Sequence, residues 1–198
     1  MPQALPLIDP GALPERLEQT RVRALRLGAL QPIATREIRI ADGGVTFLVR
    51  QVDSLARKVA QGFLRANPGR ERAAPRSPFL PPEPELTLGA LSQTHVAVLN
   101  KYNVLDSHLL LVTRAPEHQE TLLTPADMEA LALCLGTLDG LGFYNGGAAA
   151  GASQTHKHLQ LVPLPLAPGG PRIPLEPLLG GAASPDTTAL PFPPAFAW

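Results

Sequence analysis

Residues 95–113 have the sequence HVAVLNKYNVLDSHLLLVT, in which two short apolar runs enclose a turn-prone segment. The first run is HVAVLN, residues 95–100, and the second is HLLLVT, residues 108–113. Short apolar runs that are bounded by turn residues are typical of strands buried on both faces. We therefore predict two adjacent antiparallel strands inside a sheet.

The sequence before these strands predicts a helix, a hairpin, a second helix and a loop. Leucine or alanine at positions 13, 17, 24 and 27 recurs near helical spacing, and Gly28 is placed to end that helix. Apolar residues alternate over 38–42 and 45–49, on either side of a turn at Asp42-Gly43-Gly44, as in a hairpin. Residues 53–64 favour a short helix, and the Pro-rich stretch 66–85 favours an irregular loop.

Another helix is predicted after the second apolar run. Thr124 suits the N-cap, Pro125 the first helical position, and Asp127 the positive end of the helix dipole. We expect this helix to bury one apolar face and to extend as far as Leu141. That face is predicted to contain Met128, Leu131, Leu135 and Leu138.

Length and composition indicate one domain, residues 1–198, with many turns. A chain of 198 residues and 21.0 kDa suits one core, and its 17 glycines and 23 prolines include a Pro-rich tail over 165–198. Seventeen basic and 17 acidic residues leave no net charge, so we expect neither nucleic acid nor a membrane as a partner. Because Cys134 is the single cysteine, an internal disulfide is excluded, which favours a cytoplasmic location. We expect Cys134 to pack among the apolar residues of the helix.

The segment GASQTHKHLQ, residues 151–160, is the strongest candidate for a reactive site. If it forms a strand, His156, His158 and Gln160 project from one face, with about 7 Å between alternate residues. The small residues just before them allow backbone N–H groups to approach an anion closely. A nucleophilic imidazole beside an anion-binding loop is suited to phosphoryl or nucleotidyl transfer.

Two other interpretations of the histidine pair remain open at this point. The pair could be structural, or it could ligate a metal, for which a catalytic site needs about three protein ligands and a closed site about four. We expect no metal site, because the remaining candidate ligands show no recognisable ligand spacing with the pair. Those candidates are His95, His108, His118 and Cys134.

A few further polar residues are candidates for nucleotide contacts. Only three of the 17 basic residues are lysines, namely Lys58, Lys101 and Lys157. A compact ammonium suits a polyphosphate, although three surface lysines are an equally simple interpretation. Asn100 and Asn145 each end an apolar run, where an amide can offer a donor and an acceptor to a ribose or a base. Asparagine is also an ordinary turn residue.

The segments LNKYNVLDSHLLLVTR, LGFYNGG and GASQTHKHLQLVPLPL together resemble the diadenosine tetraphosphate phosphorylases, also called ATP adenylyltransferases. This family belongs to the histidine-triad superfamily, on the branch of galactose-1-phosphate uridylyltransferase. The resemblance extends with gaps from about Val45 to about Phe196. It implies an α+β fold of histidine-triad type, with a mainly antiparallel sheet and a long packed helix.

The resemblance also implies roles for particular residues. His158 would be the nucleophile that accepts the adenylyl group, His156 would support it, and Gln160 would bind the phosphate. A glutamine at this position, where hydrolases of the superfamily have a third histidine, cannot act as a base for water. The residues expected to bind substrate are Lys58, Asn100, Lys101, Asn145, Gly151, Ala152, Ser153 and Gln154.

The implied reaction is phosphorolysis of diadenosine tetraphosphate to ATP and ADP through an adenylyl-histidine. The partners would be the nucleotide and inorganic phosphate. No cofactor would be tightly bound, although Mg²⁺ would enter together with the polyphosphate. The working form would be a monomer or a weak dimer. Family members continue beyond a segment like LPFPPAFAW, so the family's C-terminal part is expected to be absent here. The alternatives are a nucleotide-binding module without turnover and a related nucleotide hydrolase or uridylyltransferase.

Overall fold

The computed structural model describes residues 5–42, 45–52 and 77–176. The predicted helix over 53–64, with Lys58, lies outside the described residues, as do the first part of the Pro-rich loop and the end of the tail. Besides two short 3₁₀ turns, Pro10–Ala12 and Ala148–Ala150, the described elements comprise two α-helices and seven strands. They are α1 (Leu13–Arg26), β1 (Thr35–Asp42), β2 (Val45–Val52), β3 (Thr87–Ala90), β4 (His95–Leu99), β5 (Leu109–Thr113), α2 (Pro125–Leu135), β6 (Gly140–Phe143) and β7 (His158–Pro163).

The main sheet has five strands in the order β3-β4-β5-β7-β6, and every neighbouring pair is antiparallel. The predicted strand pair is confirmed, because β4 and β5 are adjacent, antiparallel and buried at every position. The chain crosses from β5 to β6 through α2 and returns through β7, which therefore lies between them. Strand β7 is thus an inner strand.

The two faces of this sheet have different neighbours. Cross-strand pairing places Val98, Leu110 and Gln160 in one row on one face. On the other face, Leu161 lies between Leu109 and Gly142. Helix α2 covers this second face so closely that a Cβ on Gly142 would lie 2.6 Å from the side chain of Leu131. The first face is left for a cavity.

The N-terminal helix forms where the sequence predicts it. Its residues Leu13, Leu17 and Ala24 are buried, but Leu27 is 58% exposed because the helix has already ended at Arg26. Gly28 follows with a φ of +70°, a left-handed conformation that glycine adopts without strain. The predicted end of the helix is therefore confirmed, and one member of its predicted apolar face is not.

The second helix begins as predicted but ends earlier. The side chain of Thr124 accepts from the Asp127 N–H, and the Asp127 carboxylate accepts in return from the Thr124 N–H, which makes a capping box. The helix ends at Leu135 rather than near Leu141, and residues 140–143 form β6 instead. It is therefore an 11-residue helix of ordinary length.

The apolar face predicted for this helix is confirmed only in part, because Leu131 and Leu138 pack against the core whereas the other two predicted members do not. Met128 is 51% and Leu135 is 41% exposed, whereas Ala130 and Cys134 are buried against the sheet. Small side chains are required on this side because the helix lies so close to the sheet. Cys134 packs there as predicted, and burial raises the pKa of its thiol to about 12.

The hairpin and the tail are associated with each other. Strands β1 and β2 pair in full register as a separate two-stranded sheet, so the predicted hairpin is confirmed. The side chains of Arg50 and Arg39 donate to the carbonyl oxygens of Leu166 and Pro168, which lie in the tail after β7. The described part of the Pro-rich tail therefore forms turns held against the hairpin. No helix among the described residues is long and apolar enough to cross a membrane.

Candidate active site

Strand β7 presents different side chains to the two faces of the sheet, as the alternating sequence predicts. His158 and Gln160 lie on the open face and line a cavity. Leu159 and Leu161 lie on the opposite face and belong to the buried core beneath α2. The alternation of a strand therefore separates the reactive groups from the packing groups within one short segment.

The cavity on the open face has a volume of about 490 Å³, which lies within the range of small-molecule sites. Its floor is formed by strands β4, β5 and β7 through Val98, Leu110 and Gln160. The segment from Pro78 to Glu83 contributes one wall, and the loop before β7 contributes another. The predicted site residues that line it are Asn100, Lys101, Asn145, Gly151, Ala152, Ser153, Gln154, His158 and Gln160.

The ring of His158 is held in one orientation. Its Nδ1 lies 2.8 Å from the backbone carbonyl oxygen of His156, a contact in which the nitrogen donates. The proton is thereby placed on Nδ1, and Nε2 keeps its lone pair. Among the described residues Nε2 has no hydrogen-bond partner. The ring is 5% exposed, and burial lowers the pKa of His158, so the imidazole is neutral at physiological pH.

His156 supports this arrangement through its backbone and not from the cavity wall. Its Nε2 lies 2.8 Å from the carbonyl oxygen of Thr113 and 3.0 Å from the hydroxyl of the same residue. Strand β7 begins only at His158, so His156 is in an isolated bridge with His118 rather than in a regular strand. The ring of Phe79 lies against both imidazoles, with centroid distances of 6.0 Å to His156 and 5.3 Å to His158.

Gln160 is oriented by a histidine to which the sequence assigned no role. The Nε2 of His108 lies 2.9 Å from Oε1 of Gln160, and Nδ1 of the same ring lies 3.2 Å from Nδ2 of Asn100. Because Nδ2 of Asn100 can only donate, Nδ1 accepts and Nε2 carries the proton. Burial lowers the pKa of His108, which keeps this neutral tautomer. The NH₂ group of Gln160 then remains a donor without a partner in the described chain.

The small-residue loop before β7 uses part of its own hydrogen-bonding capacity. The N–H groups of Gly151 and Ala152 donate to carbonyl oxygens of the preceding 3₁₀ turn. Those of Ser153 and Gln154 donate to no described residue and lie at the cavity. Gly151 has a φ of +92°, so a side chain at this position would be strained. An anion in the cavity would therefore meet the second half of the predicted loop.

Among the described residues that line the cavity, only Lys101 carries an ammonium group, and that group is already paired. Nζ of Lys101 lies 2.9 and 2.8 Å from the two carboxylate oxygens of Glu83. Both side chains remain partly exposed, at 31% and 44%. The charge that Lys101 could offer to a phosphate is thus offset by a neighbouring carboxylate.

Lys157 points away from the cavity and is fully buried. Its Nζ lies 2.7 Å from Oδ2 of Asp127 and 3.0 Å from the carbonyl oxygen of Leu122. Oδ1 of Asp127 lies 3.0 Å from Nε2 of His95. Burial by itself raises the pKa of Asp127, but hydrogen bonds from Lys157 and from Thr124 outweigh it and leave that pKa below its usual value.

Lys157 therefore takes part in a buried ion pair and cannot contact a polyphosphate in the cavity, which was one interpretation of this lysine. Burial by itself lowers the pKa of Lys157, and the hydrogen bond and charge of Asp127 raise it above its usual value. The pair joins the beginning of β7 to the N-terminus of α2 and, through His95, to β4. His95 is part of this buried network in the core.

Three residues that shape the site carried no functional prediction. His108 orients Gln160, Phe79 covers the histidine rings, and Gln119 hydrogen-bonds the backbone of His158. His108 stands at the start of a buried strand, where a polar residue is a weak signal of a nearby site. Phe79 and Gln119 lie far from the motif in sequence, and nothing local marks them. Within the described ranges, no group of three His, Cys, Asp or Glu side chains could hold a metal ion.

The fold and the cavity define an α+β protein in which a neutral imidazole and amide donors line a cavity of about 490 Å³. Residues 3–181 match the model of the Ap4A phosphorylase N-terminal domain, where Ap4A is diadenosine tetraphosphate. The chain belongs to this family. The resemblance noted from the sequence motifs is thereby confirmed.

Two curated yeast proteins, from Saccharomyces cerevisiae, are similar in sequence. Protein APA1 is 32% identical over 152 residues, which cover 70% of this chain and 45% of that protein. Diadenosine 5',5'''-P1,P4-tetraphosphate phosphorylase 2 is 39% identical over 79 residues, which cover 34% of this chain and 24% of that protein. The chain thus spans less than half the length of these curated relatives.

Solved structures of yeast Ap4A phosphorylase Apa2 are similar in fold. The complex with Ap4A has a TM-score of 0.68 at 26% identity and covers 86% of this chain and 56% of that chain. The complex with AMP has a TM-score of 0.62 at 26% identity and covers 79% of this chain and 51% of that chain. The predicted α+β architecture with a mainly antiparallel sheet is confirmed.

Proposed function

We propose that the chain is an ATP adenylyltransferase that phosphorolyses diadenosine tetraphosphate to ATP and ADP, with His158 as the nucleophile. The observation that carries the proposal is the fixed, neutral ring of His158 at the cavity, with its proton on Nδ1 and its Nε2 unpartnered in the described chain. Membership of the Ap4A phosphorylase N-terminal domain family supports the substrate class. So does the likeness to a yeast Ap4A phosphorylase solved with Ap4A and with AMP.

In the first step, Nε2 of His158 attacks the α-phosphorus of the substrate. A P–N bond forms, the bond from that phosphorus to the bridging oxygen breaks, and ATP leaves with the electron pair of that bond. Nδ1 keeps its proton, so the adenylylated ring carries a positive charge next to the carbonyl oxygen of His156, 2.8 Å from Nδ1. This carbonyl stabilises the charged ring as it forms.

In the second step, an oxygen of inorganic phosphate attacks the same phosphorus from the open side of the cavity. The P–N bond breaks, its electron pair returns to Nε2, and the product is ADP. The NH₂ group of Gln160 and the N–H groups of Ser153 and Gln154 would donate to the phosphoryl oxygens in both steps. Asn100, Lys101, Asn145, Gly151 and Ala152 would contribute the remaining cavity contacts.

In this proposal phosphate is preferred to water because neither Gln160 nor the His108 ring that orients it can act as a base. An amide at position 160 cannot take a proton from water, and the proton on Nε2 of His108 prevents that nitrogen from accepting one. Inorganic phosphate needs no such base because it is already an anion. Phe79 lies over the ring of His158 and would limit access of water to the adenylylated ring.

The same reaction has consequences for the cofactor, the cellular location and the oligomeric state of the protein. It uses no tightly bound cofactor, and Mg²⁺ would enter with the polyphosphate and offset its charge. A cytoplasmic location suits the single, buried Cys134. The working form would be a monomer or a weak dimer, which sedimentation over a range of concentrations can test.

Product analysis tests the proposed reaction. The chain is incubated with Ap4A, with and without inorganic phosphate, and the nucleotides are separated. We expect ATP and ADP in equal amounts that depend on phosphate. AMP formed without phosphate would instead indicate a hydrolase, and uridylyl transfer to a sugar phosphate would indicate a uridylyltransferase. Binding of Ap4A without any product would contradict the enzyme and support the nucleotide-binding module.

A further inference from the structure

The edge of strand β7 beside His158 has no neighbouring strand among the described residues. Strand β6 pairs with β7 from Gly140 opposite Pro163 as far as Phe143 opposite Gln160, and there it ends. Continuing this register would place Asn145 opposite His158. The chain turns at that point instead, because the N–H of Gly147 donates back to the carbonyl oxygen of Asn145. Backbone groups of His158 on this edge therefore need another partner.

The side chain of Gln119 fills this gap. Its Oε1 accepts from the N–H of His158 at 2.8 Å, and its Nε2 donates to the carbonyl oxygen of His158 at 3.1 Å. The same Nε2 donates to the carbonyl oxygen of Asn145 at 2.7 Å. Only a side-chain amide can accept from an N–H and donate to two carbonyls in this way. Gln119 is 1% exposed, so water competes little for these bonds.

The backbone of Gln119 is itself held in place. Its N–H donates to the carbonyl oxygen of Thr155 at 2.8 Å, and two residues earlier the carbonyl oxygen of Glu117 accepts from the N–H of Lys157 at 2.9 Å. Residues 117–119 therefore run beside 155–157 where β6 has ended. From the other side, the hydroxyl of Tyr144 donates to the carbonyl of Gln119 and lies 2.9 Å from that of Thr121. The side-chain amide of Gln119 therefore projects from a backbone that is held on both sides.

We propose that Gln119 is a positioning residue for His158, which fixes the backbone of the nucleophile and its distance from the cavity wall at Asn145. The inference rests on the proposed function and adds a residue outside the HKHLQ motif to its machinery. Gln119 lines no part of the cavity and acts through His158. The bond from Nδ1 of His158 to the carbonyl of His156 depends on the backbone torsions that Gln119 holds. Without Gln119, both the tautomer and the direction of Nε2 lose their definition.

Two substitutions separate the roles of the two ends of the amide. Gln119→Met keeps the volume and removes all three hydrogen bonds. Gln119→Glu keeps the acceptor for the N–H of His158 but replaces the donor with a second oxygen that faces two carbonyls. We expect both variants to lower kcat by about 10- to 100-fold while KM changes by less than about threefold, because misplacement of a reacting group acts on the chemical step. Gln93→Met, at an exposed position, is the matched control and should retain wild-type kcat.

Nitrogen NMR of the histidine rings gives a second readout that does not require turnover. In the wild type we expect Nδ1 of His158 to be protonated and Nε2 unprotonated at pH 7. In both Gln119 variants we expect a mixture of tautomers. Amide hydrogen exchange of the wild type adds a measurement without any substitution, in which the N–H of His158 should be strongly protected compared with that of Ser153.

The outcomes distinguish this inference from the proposed function. If the wild type forms no product, but the Gln119 variants change the His158 tautomer, the proposed reaction fails and the positioning role stands. Wild-type kcat and an unchanged tautomer in Gln119→Met would overturn the positioning role. So would fast exchange of the His158 amide, a result that remains decisive even if both variants fail to fold.

Discussion

The two sides of strand β7 bury polar groups in opposite ways. On the side of α2, Lys157 is fully buried, and its ammonium is paired with Asp127 and with a backbone carbonyl. On the cavity side, His158 is also buried, but Nε2 has no partner in the described chain, and Gln160 has an unpartnered NH₂ group. One side has its hydrogen bonds complete within the protein, whereas the other leaves one acceptor and one donor for a ligand.

This difference separates stability from reactivity within the four residues 157–160. A buried charge whose hydrogen-bond partners all lie within the protein contributes to the stability of the folded state and is not available to react with a ligand. A buried neutral imidazole, one nitrogen of which has no partner in the described chain, is available to act as the nucleophile that we propose. We therefore expect substitutions on the two sides to affect different measurements.

The largest expected effect is the loss of turnover in His158→Ala. Without the proposed nucleophile, the proposed phosphorolysis should fall by at least about 10³-fold, while the free energy of unfolding changes little. Product formation is measured by nucleotide chromatography and unfolding by urea titration. His118→Ala is the control, because that side chain is 58% exposed and lies outside the cavity. If His158→Ala formed product as fast as His118→Ala, the cavity side of β7 would not be the reactive side.

The second effect concerns stability. Lys157→Met leaves the carboxylate of Asp127 buried without its ammonium partner, and we expect a loss of about 3–5 kcal/mol in the free energy of unfolding. Urea unfolding measures it. The double variant Lys157→Met with Asp127→Leu removes the unpaired charge and should recover part of the loss. A Lys157→Met variant as stable as the wild type would show that the buried pair contributes nothing.

The same pair predicts a dependence of stability on pH. The pKa of Asp127 is lowered on folding, so its contribution is present above its unfolded pKa and is lost as the pH falls through the folded one. The pKa of Lys157 is raised, so its contribution is present below its unfolded pKa and is lost as the pH rises through the folded one. The urea midpoint should therefore fall below about pH 4 and above about pH 10.

Lys157→Met provides the control for this pH dependence. The alkaline decrease assigned to the pair should be absent from the variant, because it carries no group at position 157 that can lose a proton. An equal alkaline decrease in both proteins would assign the effect to other groups.

A smaller effect is expected on the cavity side at His108. His108→Phe keeps a ring near Phe143, whose centroid lies 6.3 Å away, but removes the donor to Oε1 of Gln160. The amide can then rotate and present its oxygen to the phosphate. We expect kcat to fall about tenfold with KM nearly unchanged, since one hydrogen bond to a charged group is worth about 1.5–3 kcal/mol. An unaltered kcat would mean that His108 does not orient Gln160.

The smallest expected effect is a gain in affinity. Glu83→Gln removes the carboxylate that pairs with Lys101, so the ammonium becomes free for a polyphosphate. We expect ATP to bind about two- to fivefold more tightly at low salt, with the gain decreasing as salt rises. Glu85→Gln, at an exposed neighbouring position, serves as the control in titration calorimetry. Weaker binding in Glu83→Gln would show that Glu83 orients Lys101 for the ligand.

The sequence predicted those parts of the fold that depend on local patterns. The strand pair β4 and β5, the N-cap at Thr124 and the alternation along β7 all follow from spacing over a few residues. The buried face of α2 was not predictable in this way. A lysine distant in sequence pairs with Asp127, and Gly142 allows the helix to lie close to the sheet, so Ala130 and Cys134 are buried while Met128 and Leu135 are exposed.

The candidate site shows the same division. The motif GASQTHKHLQ predicted the residues that line the cavity, because one strand and one loop place them there. The residues that support the motif come from elsewhere in the chain. His108 reaches Gln160 across a strand pair, and Gln119 reaches His158 because β6 ends early. Such contacts depend on topology, which local spacing does not contain.

The most direct measurement is the position of a covalent adduct. The chain is incubated with Ap4A without phosphate, quenched in alkali, where a phosphoramidate persists, digested, and analysed by mass spectrometry. We predict a mass increase of one adenylyl group on the peptide that contains His158, located on that residue by fragmentation and lost when phosphate is added before the quench. Phosphate-dependent turnover without an adduct, or an adduct on another residue, would contradict the account.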